Sequence, residues 1–225
     1  MKQVIFFLAL MYSFTLGAQD REERREVAVI AGLNSNDAWE IGASFTYYLC
    51  NYIGATIEIN ALKLYSGNSY GGKVSGNRHL VWAIQPGEAN IAKFLLCPAI
   101  RLRSPSLWLD KDRCVGLTLN MEPGLYLEMP VNDRIVVDYK QEEYPYLVME
   151  SKTVLGKNTN WVFWNMRSFI NLKIDYISVS AGYMVSNFDI YNGRRYASIE
   201  ETELNKLLPS RKLMHSGFVA VGYHF

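Results

Sequence analysis

The chain has 225 residues, of which 49% are hydrophobic and 20% charged, and its formal net charge is +1. This length suits one all-β domain behind a leader, and the near-zero net charge gives no case for nucleic-acid binding. The mean hydropathy of −0.04 looks like that of a soluble protein. It is equally expected of membrane strands in which only every second residue is apolar.

Residues 1–18 have the features of a secretory signal peptide. Lys2 gives a positive start, Val4 to Leu16 form an apolar run, and Gly17 and Ala18 are small residues suited to cleavage. The run is too short to cross a bilayer as a helix. We therefore predict an exported protein, with a signal peptide at 1–18, a periplasmic tail at 19–25 and a barrel domain at 26–225.

Eight segments after the tail alternate apolar and polar residues, with the period of a β-strand. Most are longer than the usual soluble strand of about five or six residues. Their apolar faces span 27–33, 39–49, 53–61, 94–102, 115–129, 164–172, 177–185 and 219–225. The pattern predicts an eight-stranded antiparallel up-and-down transmembrane β-barrel.

The second face of these segments indicates which side of the barrel is inside. In the second segment this face reads Glu40, Gly42, Ser44, Thr46 and Tyr48. A face in water is normally rich in Lys and Glu, whereas small residues with a few charges suit the inside of a narrow barrel. We predict that the polar face lines the lumen. A soluble barrel with an apolar interior is the alternative.

The connections differ in length at the two ends of the barrel. Tight turns at 50–52 and 173–175 are predicted on the periplasmic side, and long loops at 66–78, 131–160 and 191–211 outside the cell. Within the third loop, 134–139 and 146–150 resemble a hairpin that extends the fifth and sixth strands.

Two further segments of the long loops have patterns of their own. Residues 80–84 either extend the fourth strand or form a separate one. Ser198-Ile-Glu-Glu201 is a capping-box pattern that predicts a short helix running to about Leu208.

Four stretches carry a resemblance to a known family. They are Ala18-Gln19, Phe94 to Arg103, Pro123 to Tyr126, and the ending Gly217-Phe-Val-Ala-Val-Gly-Tyr-His-Phe225. On these the chain resembles the small outer-membrane β-barrel proteins common in Bacteroidetes, which are related in architecture to the OmpA and OmpX barrels. The resemblance implies a location in the cell outer membrane of a Gram-negative-type envelope. It also implies contact with outer-membrane lipid, and assembly by the barrel-assembly machinery through the C-terminal strand. The family supplies no catalytic residue, metal or cofactor.

Charges of both signs share the predicted lumen face. The acids are Glu40, Glu58, Glu122 and Glu128, the bases are Lys93, Arg101, Arg103, Arg167 and Lys173, and Asn120 lies among them. Because buried charges persist only when they are paired, we predict an ion-pair network that fills the lumen. Arg167 lies at a distance above its periplasmic turn similar to that of Glu122 and Asn120 on the adjacent strand. We therefore predict that Arg167 bonds Glu122, Asn120 or both. A narrow gated channel for small solutes or ions is the alternative function.

Aromatic residues fall into two predicted groups. Those on the lipid face, which suit the girdles of a membrane barrel, are Trp39, Tyr47, Trp164, Tyr183, Tyr223 and Phe225. Tyr144, Tyr146 and Tyr191 lie in loops, where they are candidates for contact with an unknown extracellular ligand or partner.

A lipid-modifying barrel enzyme is the second alternative, since such enzymes pair a His with a Ser. His215 and Ser216 are adjacent and point to opposite faces of a strand, so they cannot act together. The three cysteines are an odd number without metal-like spacing, and we predict Cys97 and Cys114 to be buried free thiols. The sequence favours a non-enzymatic barrel with a structural or recognition role through its loops.

Overall fold

The computed structural model describes residues 24–65, 70–85, 91–129, 133–156 and 160–225. The predicted signal peptide and tail residues 19–23 lie outside these ranges. The last two residues assigned to the tail belong to the barrel instead. Strand pairing already includes Arg25, and the Arg24 carbonyl accepts a hydrogen bond of 2.8 Å from the Tyr48 N–H.

The described chain is almost entirely β-structure. In chain order the strands are β1 (Arg25–Asn34), β2 (Ala38–Cys50), β3 (Ile53–Leu64), β4 (Gly71–Val74), β5 (Asn77–Ile84), β6 (Ala92–Arg103), β7 (Leu107–Trp108), β8 (Val115–Met129), β9 (Arg134–Gln141), β10 (Val148–Leu155), β11 (Val162–Ile174), β12 (Ile177–Ser186), β13 (Ser198–Ile199), β14 (Thr202–Glu203) and β15 (Met214–His224). A single helical turn, α1, spans Asn192–Arg195, and a 3₁₀ helix spans Leu204–Lys206. None of the helical segments in the described ranges is long and apolar enough to cross a bilayer.

Eight of these strands close into a barrel in the order β1-β2-β3-β6-β8-β11-β12-β15. All neighbours are antiparallel, and the ring closes because β15 pairs with β1, with Val221 opposite Val29. The predicted all-β, eight-stranded antiparallel barrel is confirmed. The strands were identifiable because each keeps its period of two along its whole length.

The two faces of the wall have opposite character. In β2, Glu40 and Thr46 are buried, whereas Ile41 and Leu49 are exposed. The polar face therefore points inward and the apolar face outward, as the small residues of the second face indicated. Left-handed turn residues such as Asp37 (φ 55°) and Asp175 (φ 51°) reverse the chain between strands, a conformation that aspartate tolerates.

We call the two ends of the barrel the short-turn rim and the long-loop rim. The short-turn rim holds the turns after β2, β6 and β11, together with Arg25 and Phe225, whose backbones bond each other at 3.1 and 2.9 Å. The long-loop rim holds the connections after β1, β3, β8 and β12.

A second sheet stands on the long-loop rim, with the order β10-β9-β5-β4. We call this sheet, with the β13–β14 hairpin and α1, the cap. The predicted hairpin is present, but it does not extend the fifth and sixth barrel strands. Its strand β9 pairs with β5, with Val81 opposite Lys140, so residues 80–84 also belong to this separate sheet. The pairing of β5 with β9 joins segments far apart in sequence, so no local sequence pattern predicts it.

The predicted helix from Ser198 to Leu208 is wrong. Ser198 pairs with Glu203, and Glu200 turns the chain with φ of 53°. Ile199 and Leu204 are buried in the apolar core of the cap. Burial of these two side chains outweighs the local capping preference, which is a weak determinant beside tertiary packing.

Candidate functional site

The inward face of the barrel carries a concentrated group of buried charges. Its members include Glu40, Glu58, Arg101, Asn120, Glu122 and Arg167, each at most 4% exposed. In a barrel this narrow, side chains from non-adjacent strands meet at the centre. The barrel interior therefore brings charged side chains from several strands together.

Arg101 organises the half of this site nearer the short-turn rim. Its Nε donates to Glu122, and its Nη1 donates to Glu26 Oε2 at 2.6 Å and to the Tyr48 hydroxyl at 3.0 Å. The Tyr48 hydroxyl donates in turn to Glu26 Oε2 at 2.7 Å. Sequence reasoning missed Glu26, although its position one residue before the outward Val27 gave its direction.

Arg167 organises the other half, and its partner differs from the prediction. Both terminal nitrogens bind Glu58 on β3, with Nη2 at 2.7 Å from Oε1, whereas Nη1 lies 3.9 Å from Glu122 Oε2. The register does place Arg167 opposite Glu122 on the neighbouring strand, but Arg101 already binds Glu122. The predicted hydrogen bond to Glu122 is wrong because register fixes Cα neighbours and not the reach of a long side chain.

Glu40 and Asn120 are held by hydroxyl groups. The Ser216 hydroxyl donates to Glu40 Oε1 at 2.8 Å, and Asn120 Nδ2 donates to Thr118 Oγ1 at 3.1 Å. The second predicted partner of Arg167, Asn120, therefore bonds within its own strand instead.

Towards the long-loop rim the charged interior gives way to an apolar layer, which we call the plug. It consists of Ala38, Leu62, Leu64, Ile91, Leu95, Tyr126, Phe163, Met184, Phe188, Ile190 and Met214. The other members of this apolar cluster lie lower, among the charges. The Arg101 guanidinium lies over the Phe169 ring, 5.2 Å from its centroid, and that of Arg167 over the Phe218 ring at 5.4 Å. Phe188, from the loop after β12, lies edge-on to Tyr126 and Phe163 with ring centroids 6.0 and 5.1 Å away. Loop residues thus fill the mouth of the barrel with apolar side chains.

An ion-pair cluster joins the barrel to the cap. Lys93 Nζ lies 2.5 Å from Glu128 Oε1 and 2.6 Å from Asp133 Oδ1. Asn192 Nδ2 donates to the other Glu128 oxygen at 3.1 Å, and Arg194 Nε lies 3.4 Å from Asp133 Oδ2. Lys93 and Glu128 were predicted from the alternation of side chains along their strands. Asp133 lies between strands and Asn192 and Arg194 lie on α1, where that alternation gives no information.

Two glycines allow the loops to cross at this cluster. A Cβ atom on Gly156 would lie 1.7 Å from the Gly193 carbonyl oxygen, and a Cβ on Gly193 would lie 2.6 Å from Asp133 Cγ. A side chain at Gly156 would displace the Gly193 backbone, and one at Gly193 would displace the Asp133 side chain from the cluster.

The remaining predicted lumen bases lie at the short-turn rim. Arg103 and Lys173 are half-buried and line a cavity of about 20 Å³ with His224. The Arg103 guanidinium lies over the Tyr48 ring, 3.8 Å from its centroid. This end of the lumen is filled as well.

The predicted girdle aromatics lie on the outer face near the two rims. Trp39, Trp164 and Tyr183 are near the long-loop rim, and Tyr47, Tyr223 and Phe225 are near the short-turn rim. Tyr223 and Phe225 stack with centroids 6.2 Å apart. Between these two girdles of aromatic residues, the outer face of the barrel exposes aliphatic residues such as Leu119 and Val219.

The three loop tyrosines have different surroundings. Tyr144 is 86% exposed and Tyr146 59%, and their rings lie edge-on at the tip of the β9–β10 hairpin with centroids 6.1 Å apart. Tyr191, in contrast, is half-buried between the plug and the cap core, and burial raises its pKa to about 12. Its position indicates a packing role and does not suit contact with an external partner.

The residues considered for catalysis are held apart. His215 faces outward, where its Nδ1 lies 2.7 Å from the Tyr183 hydroxyl, whereas Ser216 faces inward to Glu40. Cys97 is buried, but Cys114 is exposed beside the turn before β8, so the prediction that both thiols are buried is half wrong. In the described residues no group of three or more His, Cys, Asp or Glu side chains could hold a metal ion.

The sequence matches no family model and no curated protein. In fold, the chain is similar to a de novo designed transmembrane β-barrel, with a TM-score of 0.42 and 7% identity over 92% of this chain and 98% of the other. It is also similar to the N-terminal β-barrel domain of Pseudomonas aeruginosa OprF, with a TM-score of 0.42 and 10% identity over 91% and 100%. A third similarity is to Neisserial surface protein A, with a TM-score of 0.37 and 8% identity over 89% and 94%. The barrel assignment rests on the strand pairing of this chain, and the predicted Bacteroidetes family membership stays a prediction.

Proposed function

We propose that this protein is a non-enzymatic outer-membrane β-barrel with a closed lumen, which acts in recognition or envelope structure through its cap. The observation that carries this proposal is the filling of the interior at three successive levels. Arg101 and Arg167 with their carboxylates occupy the middle, the apolar plug lies above them, and the Lys93 cluster seats the cap.

The outer wall supports a bilayer as the surroundings of the barrel. Water-soluble monomers rarely expose continuous apolar patches of more than a few hundred Å², yet every barrel strand presents apolar side chains outward. Aromatic residues near both rims fit the two interfaces of a membrane. The cap then stands in the aqueous phase on the long-loop side, where these barrels have their extracellular loops.

Conductance in planar bilayers tests the closed lumen. We expect the purified wild-type protein to insert without steady ion-conducting steps, because paired charges and the plug block the axis. A stable open conductance in the wild type would favour the gated-channel alternative and overturn the proposal.

Leu119→Arg tests the lipid-facing wall. Leu119 is exposed on the outward stripe of β8, between the levels of the two aromatic girdles, and an arginine facing lipid typically costs about 2–4 kcal/mol at the bilayer midplane. Met129→Arg is the matched control, since it lies on the same face at the end of β8, where the cost falls to about 0–1 kcal/mol. Urea unfolding in lipid vesicles measures both, and equal losses would contradict a membrane at this height.

Proteolysis of intact cells tests the side of the membrane on which the cap lies. The exposed tip with Glu143 and Tyr144 is the expected first cleavage site for a protease that cuts after glutamate, since exposed loop tips are preferentially nicked. Glu142→Gln combined with Glu143→Gln should delay that cut without affecting the barrel. Cleavage that needs a permeabilised outer membrane would mean that the orientation is inverted.

A further inference from the structure

The outermost strand of the cap, β10, has an open edge. It pairs only with β9 in the order β10-β9-β5-β4, and every residue of β10 except the half-buried Val154 is exposed. Within the described parts of the chain, no strand covers its outer edge. We infer that β10 is the docking edge for a second copy of this chain. The two β10 strands would pair antiparallel, with Ser151 of one copy opposite Ser151 of the other.

The backbone ladder determines which residues of β10 face this edge. The Gly156 N–H donates to the Asp133 carbonyl at 3.0 Å, and the hydrogen-bonded pairs of an antiparallel ladder recur at every second residue. Glu150, Lys152 and Val154 therefore bond to β9. Ser151, Thr153 and Leu155 direct their N–H and C=O groups to the open edge.

The hydrogen bonds between β9 and β5 are consistent with this alternation. The Gln85 N–H donates to the Val136 carbonyl at 3.1 Å, and the Glu142 N–H donates to the His79 carbonyl at 2.9 Å. Even-numbered residues of β9 therefore bond to β5, which leaves its odd-numbered residues for β10.

The residues on the two sides of Ser151 carry opposite charges, since Glu150 precedes it and Lys152 follows it. When a second copy runs antiparallel with Ser151 opposite Ser151, Glu150 of each copy faces Lys152 of the other. The bulge at Met149 ends the regular ladder just beyond this central pair. A two-fold interface needs such self-complementarity, because both subunits use the same surface.

The two-fold pairing of the two β10 strands is compatible with the direction of the free backbone groups of β10. Ser151 opposite itself must be a hydrogen-bonded pair, and Ser151 is one of the residues that aim at the open edge. Glu150 and Lys152 of the copy then form a non-hydrogen-bonded pair, in which side chains are closer. A bulge between Val148 and Glu150 leaves this central pair within the regular ladder. Lys152 is positioned over the Tyr139 ring, 4.8 Å from its centroid.

Charge complementarity favours a second copy over an unrelated extended segment. Glu150 and Lys152 lie on one face with their charged ends 3.4 Å apart, so the two strands would place four charges in alternating order. The opposite edge, β4, has only four residues, two of them glycine, and offers a poorer ladder. This inference rests on the proposed recognition role and names its partner, but it does not depend on the closed lumen.

Disulfide trapping tests the register. In a Cys50→Ser, Cys114→Ser background, which removes the exposed thiols, Ser151→Cys should form a cross-linked dimer under mild oxidation. Opposed Cα atoms in a hydrogen-bonded pair lie about 5.5 Å apart, within the usual range for a disulfide. Thr153→Cys is the matched control on the same face. Its two copies would lie about 13 Å apart along the strands, at about 3.3 Å per residue, and should not cross-link.

Charge reversal tests the pairing independently. Glu150→Lys alone and Lys152→Glu alone should each reduce the Ser151→Cys cross-link severalfold, and the double exchange should restore it. Heat-modifiable migration of each variant shows that its barrel has folded. Equal cross-linking at positions 151 and 153, or a double exchange that stays as defective as the single variants, would overturn the inference. Bilayer conductance tests the lumen separately, so failure of one proposal is distinguishable from failure of the other.

Discussion

Deletion of Tyr223–Phe225 is expected to prevent formation of a closed barrel. These residues supply the last pairs of β15 with both neighbours, with Tyr223 opposite Val27 of β1 and Ile177 of β12. The Phe225 backbone also bonds Arg25 in both directions. Without them two strand ends keep unpaired backbone groups, each of which costs several kcal/mol in lipid.

Refolding from urea into detergent or lipid measures this effect without the cellular assembly machinery. The deletion should yield protease-sensitive protein without heat-modifiable migration. The triple change Tyr223→Ala, His224→Ala, Phe225→Ala is the matched control, because it keeps the backbone ladder and should still close. A truncated chain that folds as the wild type does would show that the last pairs are dispensable.

Removal of the Glu58 carboxylate is expected to be the most damaging single change in the lumen. Glu58→Leu leaves the Arg167 guanidinium buried without its bidentate partner, and loss of one member of such a pair typically costs about 3–5 kcal/mol. Glu122 Oε2 lies 3.9 Å from Arg167 Nη1, beyond hydrogen-bond reach, and the charge of this carboxylate is already paired with Arg101 through Oε1. The plug also prevents its escape to the long-loop rim.

The double variant Glu58→Leu, Arg167→Met separates the pair from its individual members. Replacing a buried ion pair by apolar residues of similar volume is often nearly neutral, so most of the lost stability should return. Urea unfolding of the two single variants and the double variant gives the coupling free energy. Strictly additive losses would mean that Glu58 and Arg167 act independently, against the observed geometry.

The proposed closed lumen and the proposed docking edge assign different tasks to two parts of the molecule. Each lumen arginine joins strands that are not neighbours in the wall, with Arg101 bound to Glu26 and Arg167 bound to Glu58. The cap is seated on this scaffold through Lys93 and Asp133, and it presents β10 to the surroundings. A rigid scaffold that supports an exposed recognition surface is a common arrangement in loop-based binding.

Strand period allowed the sequence by itself to determine the barrel. Side chains alternate strictly in an extended chain, so the parity of Val115 to Met129 located both the outward Leu119 and the inward Glu122. The same parity placed Lys93, Glu128 and Arg167 inside. The same alternation directs Glu26 into the lumen, because it precedes the outward Val27 in the sequence.

Only the tertiary structure decided which charged side chains pair in the lumen and which strands pair in the cap. Arg167 binds Glu58 across the lumen because the barrel is narrow and Arg101 already binds Glu122, and neither distance is encoded in strand period. The cap sheet depends on pairing of β5 with β9, and the β13–β14 hairpin replaces a predicted helix because Ile199 and Leu204 gain burial. Local sequence specifies the direction of a side chain along its own strand, whereas contacts between distant segments depend on the closed geometry of the whole chain.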